Sequence, residues 1–158
     1  MTESNQAPSK LPRPVAVKRT LEIFSDPWSF AVLQELFFRV KRFDEFQQNL
    51  NISRSVLTRR LRHLEEQKVI TRKLYSNHAQ RFEYVLTERG RDMYTIFIAI
   101  RQWGEKWLDD AKTEELSLVH TSCNAVLDLQ LVCGNCHQEV KASDISYQQT
   151  ELENINKD

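Results

Sequence analysis

Turn-forming residues are scarce in this chain, with only three Gly and four Pro among 158 residues. So few breakers point to long helices and argue against an all-β fold with its many tight turns. No apolar run approaches the roughly 18 residues of a membrane span. The opening MTESNQAPSKLPRP lacks the apolar core of a secretion signal, so a cytoplasmic location is expected. No Gly-rich phosphate loop is present. His63, His78, His120 and His137 form no evident grouping with a nucleophile and a carboxylate, so no enzyme is expected.

Net charge is missing too, since 22 Lys+Arg balance 22 Asp+Glu. The balance is not local. Residues 39–91 hold 13 basic and 6 acidic residues, whereas residues 109–158 hold 3 basic and 10 acidic. A basic block of this kind suits a polyanionic partner. With 41% hydrophobic residues the chain can still build a core, so wholesale disorder is excluded.

Periodicity places the elements. Residues 1–13 read as a flexible arm. Val15–Phe24 sets Val17, Leu21 and Phe24 near one helical face. Asp26 then caps a second helix that Pro27 opens, running to about Phe38. Phe43–Leu50 is a short helix and Asn51-Ile52 the turn. Ser53 caps a further helix, Arg54–Gln67, in which Leu57, Leu61 and Leu64 form the core stripe. Alternation then replaces helical spacing: Ile70–Tyr75 and Arg81–Leu86, bridged by polar residues, predict a β-hairpin. Thr87 caps a long helix from Glu88 to about Leu108.

That order gives a mainly α fold with a small β-hairpin (α+β), a winged helix-turn-helix. Residues 14–110 make the DNA-binding and dimerisation domain, 111–147 a small zinc-knuckle-like segment, and 148–158 a disordered tail. The expected partner is double-stranded DNA. Opposite the leucine stripe project Ser55, Arg59 and Arg62, flanked by Thr58 and His63, with Ser53 and Arg54 at the helix start. Guanidinium groups suit phosphates and guanine edges, and the helix N-terminus adds N–H donors. The hairpin supplies Arg72, Lys73, Asn77, His78, Gln80 and Arg81 for backbone or minor groove. The plain alternative for any one arginine is a solvated helix face. It weakens with Arg54, Arg59, Arg60 and Arg62 on one short helix.

The long helix is apolar on more than one side, with Met93, Ile96, Phe97, Ile100, Trp103 and Trp107 all on it. One small core cannot cover both faces, so a homodimer through Met93, Phe97, Ile100, Trp103 and Trp107 is expected. The alternative is cover by the first helix or the C-terminal segment.

The stretch from Val17 to Met93 resembles the HxlR-type winged-helix transcription regulators, relatives of the MarR group, over about residues 13–108. The specific parts are Trp28 after Ser25-Asp26-Pro27, Arg42-Phe43-x-x-Phe46, Ile52-Ser53 leading to Leu57, Arg60-Leu61 and Leu64, and Leu86-Thr87-x-x-Gly90. The resemblance implies a cytosolic homodimer whose recognition helices enter successive major grooves near promoters. Three positions depart from it. Arg13 stands where the family usually has a cysteine, which closes that route to thiol sensing. Asn51 and Lys68 stand where glycine is common. A left-handed Lys68 would cost on the order of 1 kcal/mol, which predicts a differently built helix end.

C-terminal to the long helix, His120-x-x-Cys123 is followed after nine residues by Cys133-Gly134-Asn135-Cys136. Two short chelating pairs separated by a loop match tetrahedral zinc, with His120, Cys123, Cys133 and Cys136 as ligands of a structural ion. Gly134 is expected to permit the tight turn. Ordinary reduced cysteines, or a disulfide among them, are the alternatives. A protein-interaction module on a winged-helix frame with a zinc knuckle is the other functional reading. The operator, the regulated genes, the sign of regulation and any small-molecule effector are not encoded legibly.

Overall fold

The computed structural model describes residues 15–24, 26–76, 81–108 and 116–146. The arm and tail expected at 1–13 and 148–158 lie outside them. Helix α1 (Val15–Phe24) leads into α2 (Pro27–Phe37). The Asp26 carboxylate accepts from the Trp28 and Ser29 amides at 2.9 and 3.3 Å, the cap that the sequence predicts. α2 stops at Phe37, one residue early, because the chain turns left-handed at Arg39 (φ 66°). The Arg39 and Val40 amides bond back to Leu36 and Glu35 carbonyls, each at 3.0 Å. α3 (Phe43–Leu50) ends on a left-handed Asn51 (φ 47°), the predicted turn.

α4 (Arg54–Glu66) starts at Ser53, whose Oγ accepts the Val56 amide at 3.4 Å. Its end overturns the expectation for Lys68. Lys68 does adopt the left-handed region (φ 56°), with its amide on Glu65 O at 2.8 Å and the Val69 amide on Leu64 O at 2.9 Å. This is the terminus that glycine usually completes. Leu64 and Val69, which close it, are both fully buried, and that burial outweighs the backbone strain.

β1 (Ile70–Ser76) and β2 (Arg81–Leu86) pair antiparallel from Ile70 with Leu86 to Leu74 with Phe82, with an irregularity between Leu74 and Ser76. The Tyr84 amide donates to Lys41 O at 2.8 Å and docks β2 on the connector between α2 and α3. α5 (Glu88–Trp107) is capped by Thr87, whose Oγ1 accepts the Gly90 amide at 3.1 Å and donates to Lys68 O at 2.7 Å. That one hydroxyl joins the end of α4 to the start of α5.

α2 is the central element, packed on α1, α3, α4 and β2. The core gathers Val32, Leu33 and Leu36 from α2, Phe46 from α3, Leu57, Leu61 and Leu64 from α4, then Val69, Ile70 and Met93. Residues 116–146 are different: two short antiparallel strands, β3 (Val119–His120) and β4 (Ala125–Val126), plus one 3-10 turn, Ala142–Asp144, with no buried apolar side chain. Arg101 holds Leu116 O at the head of this segment, and Gln102 donates to Asp128 at 3.4 Å. A cavity of about 780 Å³ lies between α2, α5 and Leu116–Leu118, lined by Phe30, Phe37, Tyr94 and Phe97 among others. Among the described residues no helix is long and apolar enough to cross a membrane.

Candidate nucleic-acid interface

The leucine stripe of α4 is at most 1% exposed, which fixes the helix by its inner face and turns Ser55, Arg59, Arg62 and Glu66 to solvent. α2 and α3 pack behind it. Arg59 has no partner among the described residues and is fully available to a polyanion. Arg62 is held by Glu66 one turn on, Nε to Oε1 at 2.9 Å, with both side chains well exposed. An exposed pair of this kind is worth at most about 1 kcal/mol, so a phosphate can replace the carboxylate. Arg54 lies over the Phe43 ring, 5.0 Å from its centroid, which orients the guanidinium at the helix N-terminus. Ser53 and Ser55 hydroxyls sit 3.3 Å apart beside it, and both residues are exposed.

Three residues of α4 depart from a simple outward reading. Thr58 donates its hydroxyl to Arg54 O at 2.8 Å, which leaves its oxygen as an acceptor and its methyl for a partner. His63 is half-buried and its Nε2 lies 3.3 Å from Ile23 O, because α1 crosses that flank and offers a carbonyl. His63 thus also anchors α1 through that nitrogen. Arg60, the fourth arginine, turns back to Asp26 at 2.5 Å.

In the wing, Lys73 and Arg81 are exposed. Arg72 is already engaged: its Nε donates to Glu65 at 2.8 Å, and its guanidinium lies over Phe82, 5.5 Å from the centroid. This contact ties β1 to α4. Burial, with added repulsion from Glu65, pushes the phenol of neighbouring Tyr84 above its usual range, while Arg72 opposes the shift. Asn77, His78 and Gln80 lie outside the described residues. Sequence reasoning missed Asp26 and Glu65 as positioning groups. Nothing in a one-dimensional pattern pairs residue 26 with 60, or reveals that Glu65 reaches β1.

The faces expected for dimerisation divide. Met93 is 8% exposed and belongs to the core of its own chain, which corrects its placement at an interface. Phe97 is half-buried against Phe37, with ring centroids 5.3 Å apart. Ile100, Trp103 and Trp107 remain exposed, as do Ile96 and, on α1, Val15, Val17 and Leu21. Of the metal-ligand candidates, His120 Nδ1 and Cys123 Sγ stand 3.4 Å apart. The Cys133 thiol is pulled below its usual range, first by the Cys136 amide, then by the Asn135 amide and the Cys136 side chain. The structure forms each pair but does not join the two, since among the described residues no three metal-binding side chains cluster.

The helix-turn-helix, wing and long helix are shared with known proteins. Residues 23–112 match the family described as HxlR-like helix-turn-helix. An uncharacterised HTH-type transcriptional regulator of Mycobacterium tuberculosis is 36% identical over 131 residues, covering 83% of each chain. YdeP of Bacillus subtilis, another HTH-type transcriptional regulator, is 37% identical over 94 residues, 59% of this chain and 73% of that protein. Among solved structures, PA1607, a proposed transcription factor, superposes with a TM-score of 0.75 at 28% identity, covering 90% of this chain and 97% of the other. The redox regulator HypR in its oxidised form gives 0.54 at 32% identity, covering 60% and 98%. This chain therefore belongs to the HxlR-like helix-turn-helix family of DNA-binding transcriptional regulators, which are not enzymes.

Proposed function

We propose that the protein regulates transcription in the cytoplasm as a homodimer, with α4 of each protomer in a major groove and the wing on backbone or minor groove. Residues 14–110 would form that working unit, with 111–147 as a separate small appendage. The observation that carries the reading is the two-sidedness of α4: a sealed leucine face and an outer face bearing Arg54, Ser55, Arg59 and Arg62. Arg59 and Arg62 read or clamp the groove. Lys73 and Arg81, with Asn77, His78 and Gln80 from the sequence between the strands, contact the backbone or minor groove. The apolar residues left exposed on α5 and α1 support the two-fold partner.

Selection of bound fragments from genomic DNA, followed by salt titration of the recovered site, tests this reading. Arg59→Ala is expected to cost about 1–3 kcal/mol of affinity, and half-sites are expected about 10–10.5 base pairs apart or a multiple of that. Unchanged binding by both Arg59→Ala and Arg62→Ala would remove α4 from the groove.

A further inference from the structure

Residues 119–139 contain the same turn twice. In the first, the Asn124 amide donates to His120 O at 2.8 Å, Asn124 is left-handed (φ 57°), and His120 pairs with Ala125 and Val119 with Val126. In the second, the His137 amide donates to Cys133 O at 2.8 Å and His137 is left-handed (φ 59°). The Cys133 amide donates to Gln138 O, and Val132 bridges Glu139. Each turn sets two potential metal ligands three residues apart and a strained residue directly after the second. Gly134, expected to make the turn possible, does not have a positive φ, and a Cβ there would touch nothing. The left-handed residue is His137 instead, because the chain reverses after Cys136 and not between the cysteines.

This backbone has no apolar core to hold it, since Val119, Val126, Leu131 and Val132 are all exposed. Asn124 tolerates the left-handed region, but His137 there costs on the order of 1 kcal/mol. The donor geometry supplies what is missing. Zn–N of about 2.0–2.1 Å and Zn–S of about 2.3 Å at a tetrahedral angle require an N···S edge of about 3.6 Å. His120 Nδ1 and Cys123 Sγ stand 3.4 Å apart.

We propose that His120, Cys123, Cys133 and Cys136 hold one structural zinc ion, each turn supplying two ligands. A single turn fills only half of a tetrahedral site, and among the described residues no three metal-binding side chains yet stand together, so the two turns must close on the ion. Nine residues join Cys123 to Cys133, enough slack for two preformed halves to close on one metal. A dithiol switch would use Cys133 and Cys136 but leaves the matching His120–Cys123 turn without a purpose. With four protein ligands no position is open to water, so the ion orders residues 116–146 and does no chemistry.

The test is metal analysis of the full chain purified without chelator, then cobalt(II) titration of the metal-free protein. One equivalent of zinc per chain is expected. Cobalt should give the strong visible bands of a tetrahedral site, with thiolate charge transfer of three sulfurs. His120→Ala and Cys133→Ser should each weaken binding by more than about 100-fold, beyond the usual loss from an outer-shell change. His137→Ala should bind as the parent does. Less than half an equivalent of zinc together with a weak octahedral cobalt spectrum would overturn the site. So would unchanged affinity in His120→Ala. Both titrations read the parent and each variant by the metal itself, and DNA binding confirms that the helical domain of each variant is folded.

Discussion

Arg60 Nη2 donates to Asp26 Oδ2 at 2.5 Å, while the other oxygen of the same carboxylate caps α2. One side chain therefore starts the central helix and fixes the azimuth of α4. Both partners are mostly buried, with about a quarter of each side chain exposed, so the pair is screened less than the surface pairs on α4. Asp26→Ala removes the cap, worth about 1 kcal/mol, and leaves a shielded guanidinium without its partner, worth about 1–3 kcal/mol more. Asp26→Asn keeps a competent cap and loses only the charge, so it should fall between the two. Equal midpoints of urea unfolding for the parent and Asp26→Ala would show that the contact carries no stability.

A second prediction concerns Gly90, in the first turn of α5. A Cβ built there would lie 2.1 Å from Val69 O, a backbone atom that cannot step aside alone. That carbonyl also accepts from the Thr87 amide at 3.0 Å, so moving it breaks the joint between α4 and α5. Gly90→Ala should destabilise by at least the roughly 1–3 kcal/mol of overpacking, read as a lower thermal midpoint, despite alanine's better helix propensity. A rise in midpoint would mean that the two helices approach less closely than this.

Lys68 supplies the opposite case. Its left-handed backbone costs on the order of 1 kcal/mol, and Lys68→Gly removes that cost. The gain is reduced by the greater freedom of glycine in the unfolded chain, so a net stabilisation of at most about 0.5 kcal/mol is expected. Chemical denaturation with an unchanged slope against denaturant would check it.

Lys68 also shows where sequence reasoning reaches its limit. Asp26-Pro27, Ser53 and Thr87 were legible as helix starts because a cap acts within three or four residues. The Leu57, Leu61 and Leu64 stripe was legible because it is periodic. Lys68 was not, since the local penalty is outweighed by burial of Leu64 and Val69, which only the assembled core provides. His63 and Met93 meet the same kind of limit. Helical spacing gives a direction around the axis, but not which neighbour occupies it: α1 in one case, the core itself in the other. The scarcity of glycine was informative about helices, yet it did not remove left-handed turns. Arg39, Asn51, Lys68, Asn124 and His137 make them instead.

The division along α5 yields the last prediction. Met93 and Ile98 are buried within the protomer, whereas Ile96, Ile100, Trp103 and Trp107 are between 44% and 62% exposed. Trp103 and Trp107 lie one helical turn apart, so the proposed two-fold partner would meet them as a single ridge. In an isologous interface each substitution acts twice, and a buried Trp is the residue type that most often dominates binding energy. Trp103→Ala should therefore weaken the dimer by about 2–4 kcal/mol while barely changing the thermal stability of the protomer. Sedimentation should report twice 18.7 kDa for the parent at micromolar concentration, and the monomer for Trp103→Ala at the same dilution. Because the proposed homodimer would place one α4 on each half-site, DNA affinity should fall with the dimer, although Trp103 lies outside the basic face. A parent that sediments as a monomer would assign this ridge to some other partner.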